Sequence, residues 1–209
     1  MSILLLAWVF LASFATTLLV AGAGSRLAKR GLAAFLRRRR ADETPCAGGL
    51  AAAPGAIHLL PAGGEPWKRS RAAGRLVRGF AREGFRSAGV FAIPEIPGTR
   101  VELFAHPGQR LIGAVHEDRR ARHWVDVSER RSDGSTVTWS SARPTGLDPR
   151  PGHPRFHVPG ASPAALVARA LRERAPAPAE EVHPAELEAL FERAHAEEAE
   201  WRHRQDGAA

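Results

Sequence analysis

Nine histidines are the residues of this chain whose chemistry first asks for a site. His153 and His157 stand four apart in Gly-His-Pro-Arg-Phe-His. On a helix that spacing puts both imidazoles on one face, a common way to hold zinc. Pro154 and the surrounding prolines and glycines argue against a helix, so the spacing loses its meaning. His106, His116 and His123 fall on neighbouring strands and could converge with Asp126. His116-Glu117-Asp118 is not the helical two-histidine zinc motif, and one cysteine, Cys46, offers no thiolate set. No metal, no cofactor and no catalytic residue are expected.

The nucleophiles are as unhelpful. Ser132, Ser135, Ser140 and Ser141 cluster on a hairpin, where turn and strand-surface roles are the ordinary ones. There is no nucleophile elbow, phosphate-binding loop or dinucleotide fingerprint. His123 and Asp126, three apart on a strand, point to opposite faces and make no dyad. These absences favour a binding domain over an enzyme.

The elements that would position a binding surface follow from hydrophobic period. Residues 67–85 are helical: Ala73, Leu76, Val77, Phe80 and Ala81 recur at three- and four-residue spacing, and Gly84 is a stop signal. The period then becomes two. Strands are expected at Val90–Ile93, Val101–Ala105, Leu111–Val115, Arg122–Val127 and Ser135–Ser140. His106-Pro107-Gly108-Gln109 and Asp133-Gly134 supply tight turns, so the five strands form an antiparallel meander. Residues 142–160 are rich in Pro and Gly and read as an irregular loop. Ser162-Pro163 opens a helix as cap and first residue, and Ala175-Pro176-Ala177-Pro178 ends it. A last helix runs from Pro184 to His203.

That makes an α+β domain over 67–205, with a disordered tail at 206–209. Phe104, Ile112 and Trp124, with Ala114, are expected to lie opposite the Val101/Leu103 side and to form an open apolar surface for a ligand or protein partner. The first helix is basic and the last acidic, so the two are expected either to lie near one another or to meet different partners.

What precedes the domain points to a membrane. Residues 3–22, ILLLAWVFLASFATTLLVAG, are apolar and uncharged. As a helix they span about 30 Å, the thickness of a hydrocarbon core. A transmembrane anchor over 1–25 is expected. Arg26, Lys29, Arg30, Arg37, Arg38, Arg39 and Arg40 follow it, within a juxtamembrane segment and linker over 26–66. Basic flanks stay cytoplasmic, so the carboxyl-terminal domain is placed inside a bacterial inner membrane, single-pass, with the flank against anionic lipid headgroups. The alternative is export: Ala21-Gly22-Ala23 is a possible cleavage site, and would give an exported domain with ligand-binding or unrecognised hydrolytic activity. Residues 41–66 are Ala-, Gly- and Pro-rich, a flexible linker of about 25–30 Å reach in which Ile57, Leu59 and Leu60 form an apolar island able to dock on the domain.

The net charge of +8 suggests nucleic acid until it is placed. Residues 1–40 hold seven basic residues and no acidic one; the rest hold 23 basic and 22 acidic. The excess therefore belongs to the membrane flank. Lys68, Arg69, Arg71, Arg75, Arg78 and Arg82 on the first helix are better suited to a nearby anionic membrane than to phosphates of nucleic acid, which is not expected as a partner. Heavy use of Ala and Arg with a single Met suits a GC-rich bacterial genome.

Overall fold

A computed structural model describes residues 54–63, 67, 70–120, 122–144, 149–174 and 179–206, all of which fall in one compact unit. The apolar run 3–22, the basic residues Arg26 to Arg40 and the proposed tail lie outside the described residues, apart from Asp206. Among the described residues no helix is long and apolar enough to cross a membrane.

Among the described residues the fold is α+β, with three helices on a mixed sheet of seven strands ordered β1 to β7 as in the chain. The strands are β1 (Leu60–Pro61), β2 (Arg86–Ala92), β3 (Arg100–His106), β4 (Leu111–Glu117), β5 (His123–Arg130), β6 (Thr136–Ser140) and β7 (Arg155–His157). The helices are α1 (Ser70–Arg82), α2 (Pro163–Glu173) and α3 (Leu187–Asp206), the last entered through a 3-10 turn at Pro184–Glu186. The five-stranded antiparallel meander is present as β2 to β6, but the sheet continues beyond it at both edges. β1 adds antiparallel to β2, and β7 adds parallel to β6. The sheet is therefore mixed, not antiparallel throughout. β7 sits inside the stretch read as irregular: its prolines keep it at the edge, where few ladder donors are needed.

Two turns set the register of the centre. Between β3 and β4, Arg110 takes a left-handed φ of 53° and its N–H bonds the His106 carbonyl at 2.9 Å. His106 then pairs with Leu111, and Ala105 with Ile112. Between β5 and β6, Arg131 N–H meets Ser135 O at 2.9 Å around Ser132-Asp133-Gly134, with Gly134 at φ 83°. This is the three-residue hairpin loop with a left-handed glycine, one residue longer than the Asp-Gly signal implied.

Both faces of the sheet are covered. On one face, Phe80 of α1 and Leu166, Val167 and Ala170 of α2 bury Phe104, Val115, Val125, Val127 and Trp139. Gly113 of β4 makes this approach possible: a Cβ there would stand 2.7 Å from the Phe80 ring. Gly79 does the same between helices, where a Cβ would stand 2.8 Å from Pro163. Ser162 caps α2, its Oγ accepting from Ala165 N at 3.3 Å. On the other face, Leu187, Leu190 and Phe191 of α3 pack on Val101, Leu103 and Ala114. Ile57 and Leu59 join them at 3% and 2% exposure, whereas Leu60 of the same apolar island is 53% exposed. Residues 54–63, assigned by composition to the linker, are thus seated on the domain, with Leu59 N donating to Glu192 of α3 at 2.6 Å. The basic α1 and the acidic α3 lie on opposite faces of the sheet, not side by side.

Candidate functional site

The α3 face of the sheet changes character along a single cross-strand row. Register puts Leu103, Ala114, Asp126, Ser140 and His157 in line across β3 to β7. The first two are core; the last three are polar. The neighbouring rows repeat the change: Val101, His116, Trp124 on one side, and Ala105, Ile112, Ser128, Thr138, Arg155 on the other.

Asp126 is the centre of the polar half, 8% exposed. The Ser140 hydroxyl donates to its Oδ1 at 2.5 Å. His116 Nε2 stands 3.4 Å and an Arg155 guanidinium nitrogen 3.6 Å from its Oδ2. Burial alone would raise the Asp126 carboxyl, but Arg155, His116 and Ser140 outweigh it and hold the group well below the usual carboxylate range. The site therefore keeps a permanent buried anion under a half-exposed cation. The His116 ring stacks on Trp124 with centroids 4.8 Å apart and planes within 5°, and the Phe191 ring of α3 lies tilted at 6.1 Å from it. His157 donates from Nδ1 to the Ala142 carbonyl at 3.0 Å.

This arrangement does not make a nucleophile of Ser140. Its side chain is fully buried, its proton goes to Asp126, and it also accepts from Ala142 N at 3.2 Å. A carboxylate held so far down is a poor base. No imidazole meets the hydroxyl: His116 and Ser140 both address Asp126 instead of forming a relay. What the patch offers is recognition. The Arg155 side chain is 48% exposed on one side of Asp126, and Trp124 is half-buried on the other. A guanidinium and an indole on the same face, flanking the Asp126 row, suit a partner that brings an anionic group together with apolar surface.

The three histidines expected to converge do not. Only His116 reaches Asp126. His123 lies on the α1 face, 3.0 Å from the fully buried Glu117 and 6.1 Å from the Trp67 ring. His106 packs edge-on to Phe85 and accepts from Gln109 N at 3.0 Å. His153 sits in the turn before β7 and His157 within it, so their four-residue spacing places them on no common helix face. Burial and Arg150 lower the His153 pKa against the pull of Glu197 and Glu198. Among the described residues no group of three or more His, Cys, Asp and Glu is placed to hold a metal ion.

Nor do Phe104, Ile112 and Trp124 form one surface. Phe104 is 2% exposed on the α1 face and stacks on Phe80 at 4.9 Å. Ile112 and Trp124 are half-buried on the α3 face, the side of Leu103. The reason is register: pairing His106 with Leu111 sets Phe104 against Gly113, one step off the row that holds Ile112. Trp124 belongs to the polar patch; the lipid-contact residues Arg26, Lys29, Arg30 and Arg37 to Arg40 lie outside the described residues.

Buried carboxylates elsewhere are structural. Glu129, fully buried, is held by Arg174 and lies 3.8 Å from Arg131 Nε. Burial raises the Glu102 carboxyl, partly offset by the Ser87 hydroxyl at 2.9 Å. A shallow groove of about 350 Å³ between Arg130, Glu180 and Leu190 is walled by the Arg130–Glu180 pair at 2.7 Å.

No family model matches the chain, and neither does any curated protein or solved structure.

Proposed function

We propose that this chain is a single-pass membrane protein that presents a small, non-enzymatic α+β domain to the cytoplasm, and that the domain binds a partner protein through the Trp124–Arg155 patch. The observation that carries the binding site is the Asp126 cluster. Ser140, His116 and Arg155 converge on one buried carboxylate, so the patch is rigid and its Arg155 is pre-positioned at the open edge. Pre-organisation of this kind lowers the cost of binding. The fully engaged Ser140 supports recognition over hydrolysis. The membrane part rests on the uncharged run 3–22 and the seven basic residues after it.

A photo-crosslinking residue in place of Ser128, on the same face as Arg155, tests the site in intact membranes. The expected result is a discrete adduct that is lost in Arg155→Met. An adduct that survives Arg155→Met and Trp124→Ala overturns this assignment. Digestion of the domain by protease added outside whole cells would overturn the topology. The exported alternative is favoured by Ala21-Gly22-Ala23, and an amino terminus at or near Gly24 in the mature protein would establish it.

A further inference from the structure

We infer that the outer face of α1 docks on anionic lipid headgroups, turning the opposite face of the sheet, with Trp124 and Arg155, away from the bilayer. The inference rests on the membrane reading above and adds an orientation to it.

Arg71, Arg75, Arg78 and Arg82 recur at four-, three- and four-residue spacing, so they form one stripe along α1. All four are exposed. The helix has no acidic residue, and among the described residues none of the four arginines has an ion-pair partner. The other helices differ. Arg169 pairs with Glu173 on α2, and Arg202 and Arg204 pair with Glu198 and Glu200 on α3. Among the described residues Arg172 of α2 and Arg193 of α3 also lack an ion pair, but α1 alone combines four unpaired arginines with no acidic residue.

The stripe cannot be explained by packing. Ala73 and Phe80 take the buried side of α1, on the sheet. α2 lies beside α1 on that same face and adds exposed Arg172 and Leu171, the latter 40% exposed. The outer helical layer is therefore cationic with an apolar residue at its margin, the composition that an anionic interface attracts. α3 itself carries six acidic residues (Glu188, Glu192, Glu197, Glu198, Glu200 and Asp206) against three arginines, so its net negative charge is disfavoured at the same interface. A cationic layer opposite an acidic one defines a single docked orientation. With residues 54–63 seated on the domain, the linker read from the sequence shortens to 41–53, about 20 Å of flexible reach, which allows approach to the ~10 Å over which an anionic surface attracts at ordinary ionic strength.

The test uses the full chain in nanodiscs of phosphatidylcholine, alone or mixed with phosphatidylglycerol. A fluorophore is placed on α1 (Cys46→Ser with Ala81→Cys) or on α3 (Cys46→Ser with Glu200→Cys), and quenching by headgroup-labelled lipid is read. Quenching of the α1 label only in discs containing phosphatidylglycerol, with the α3 label unquenched in both, is expected. Arg75→Glu with Arg78→Glu should remove it, at about fivefold per arginine in the docked-to-undocked ratio. Arg71→Glu with Arg82→Glu is the second variant, and circular dichroism checks that both remain folded. Equal quenching without anionic lipid, or quenching that survives both double variants, overturns the inference. So does release of the α1 label from the anionic disc by short duplex DNA or RNA at matched phosphate concentration, which would identify nucleic acid as the occupant. Resistance of the incorporated chain to alkaline extraction reads the anchor separately. An extractable chain sinks the single-pass reading, whereas an inextricable chain with an unquenched α1 label sinks only the docking.

Discussion

The Ser140 hydroxyl donates to the Asp126 carboxylate at 2.5 Å, across the β5–β6 pair and out of contact with bulk water. With Arg155 and His116 it keeps Asp126 ionised in spite of burial. A carboxyl whose folded pKa lies below its unfolded value of about 3.9 stabilises the fold fully above that value and loses the contribution as pH falls toward the folded pKa. Asp126→Asn should therefore cost about 2–3 kcal/mol at neutral pH. The gap between the two proteins should narrow on acidification below about pH 4. Urea unfolding at pH 7 and pH 3 measures it; a gap that stays constant or widens in acid is incompatible with the arrangement.

Trp124 stacks on His116 but remains half-buried. An aromatic pair of this kind contributes about 0.5–1.5 kcal/mol beyond its area, much less than a core tryptophan. Trp124→Ala should leave a folded domain, while Trp139→Ala, at 1% exposure in the opposite core, should cost about 3–5 kcal/mol. Comparing thermal midpoints of the two variants decides whether Trp124 is surface or core; equal losses would make it core.

Period and turn chemistry made the three helices and the central five strands legible, because each buries one stripe or one alternating row. The edges were not legible for physical reasons. β1 and β7 are two and three residues long and depend on pairing partners, not on their own alternation. Missing β7 hid Arg155, and with it the charge that completes the Asp126 cluster. The sequence did carry a hint: Trp124 and Asp126 share a face, and an acid in step with an indole on a central strand asks for partners. The misplacement of Phe104 relative to Ile112 came from the β3–β4 turn, whose left-handed Arg110 no propensity indicates. Nor does any periodicity announce that Gly113 exists to admit Phe80.

That glycine gives a direct test of helix seating. A Cβ at Gly113 would lie 2.7 Å from the Phe80 ring, with the sheet backbone behind it and the Phe104 and Phe85 rings around Phe80. Gly113→Ala should destabilise by about 1–3 kcal/mol. Gly113→Ala combined with Phe80→Leu should lose less than the two single changes together, because the smaller side chain removes the clash. Strict additivity in chemical denaturation would show that the ring does not rest there.

Glu129 ties the end of α2 to the sheet. It is fully buried, held by Arg174, and Arg174 also donates to the Gln109 carbonyl. Arg174→Met leaves a buried carboxylate short of its main partner and should cost about 3–5 kcal/mol. Adding Glu129→Leu should recover most of that loss, since apolar replacement of both members is often neutral. No recovery in the double variant would mean that packing or the Gln109 contact, not charge, accounts for the role of Arg174.

The seating of residues 54–63 has a pH signature of its own. His58 Nδ1 lies 2.6 Å from Glu95 Oε1, and His58 N donates to Glu95 Oε2 at 3.1 Å. The hydrogen bond from His58 brings the Glu95 carboxyl down to about 2, and the same bond raises the His58 imidazole above its ordinary 6.5. A raised histidine contributes fully below its unfolded pKa and loses the contribution as pH rises through the folded value. The clasp should therefore be tightest in mild acid, above the Glu95 titration, and loosen as pH rises past neutrality. Nuclear magnetic resonance titration of the His58 ring should show a midpoint raised above the ordinary histidine value, and Glu95→Gln should lower it. Amide exchange at Leu59, corrected for its intrinsic pH dependence, should quicken relative to core amides over the same rise. A His58 midpoint unmoved by Glu95→Gln would remove the clasp, and with it the reason for this segment to respond to pH.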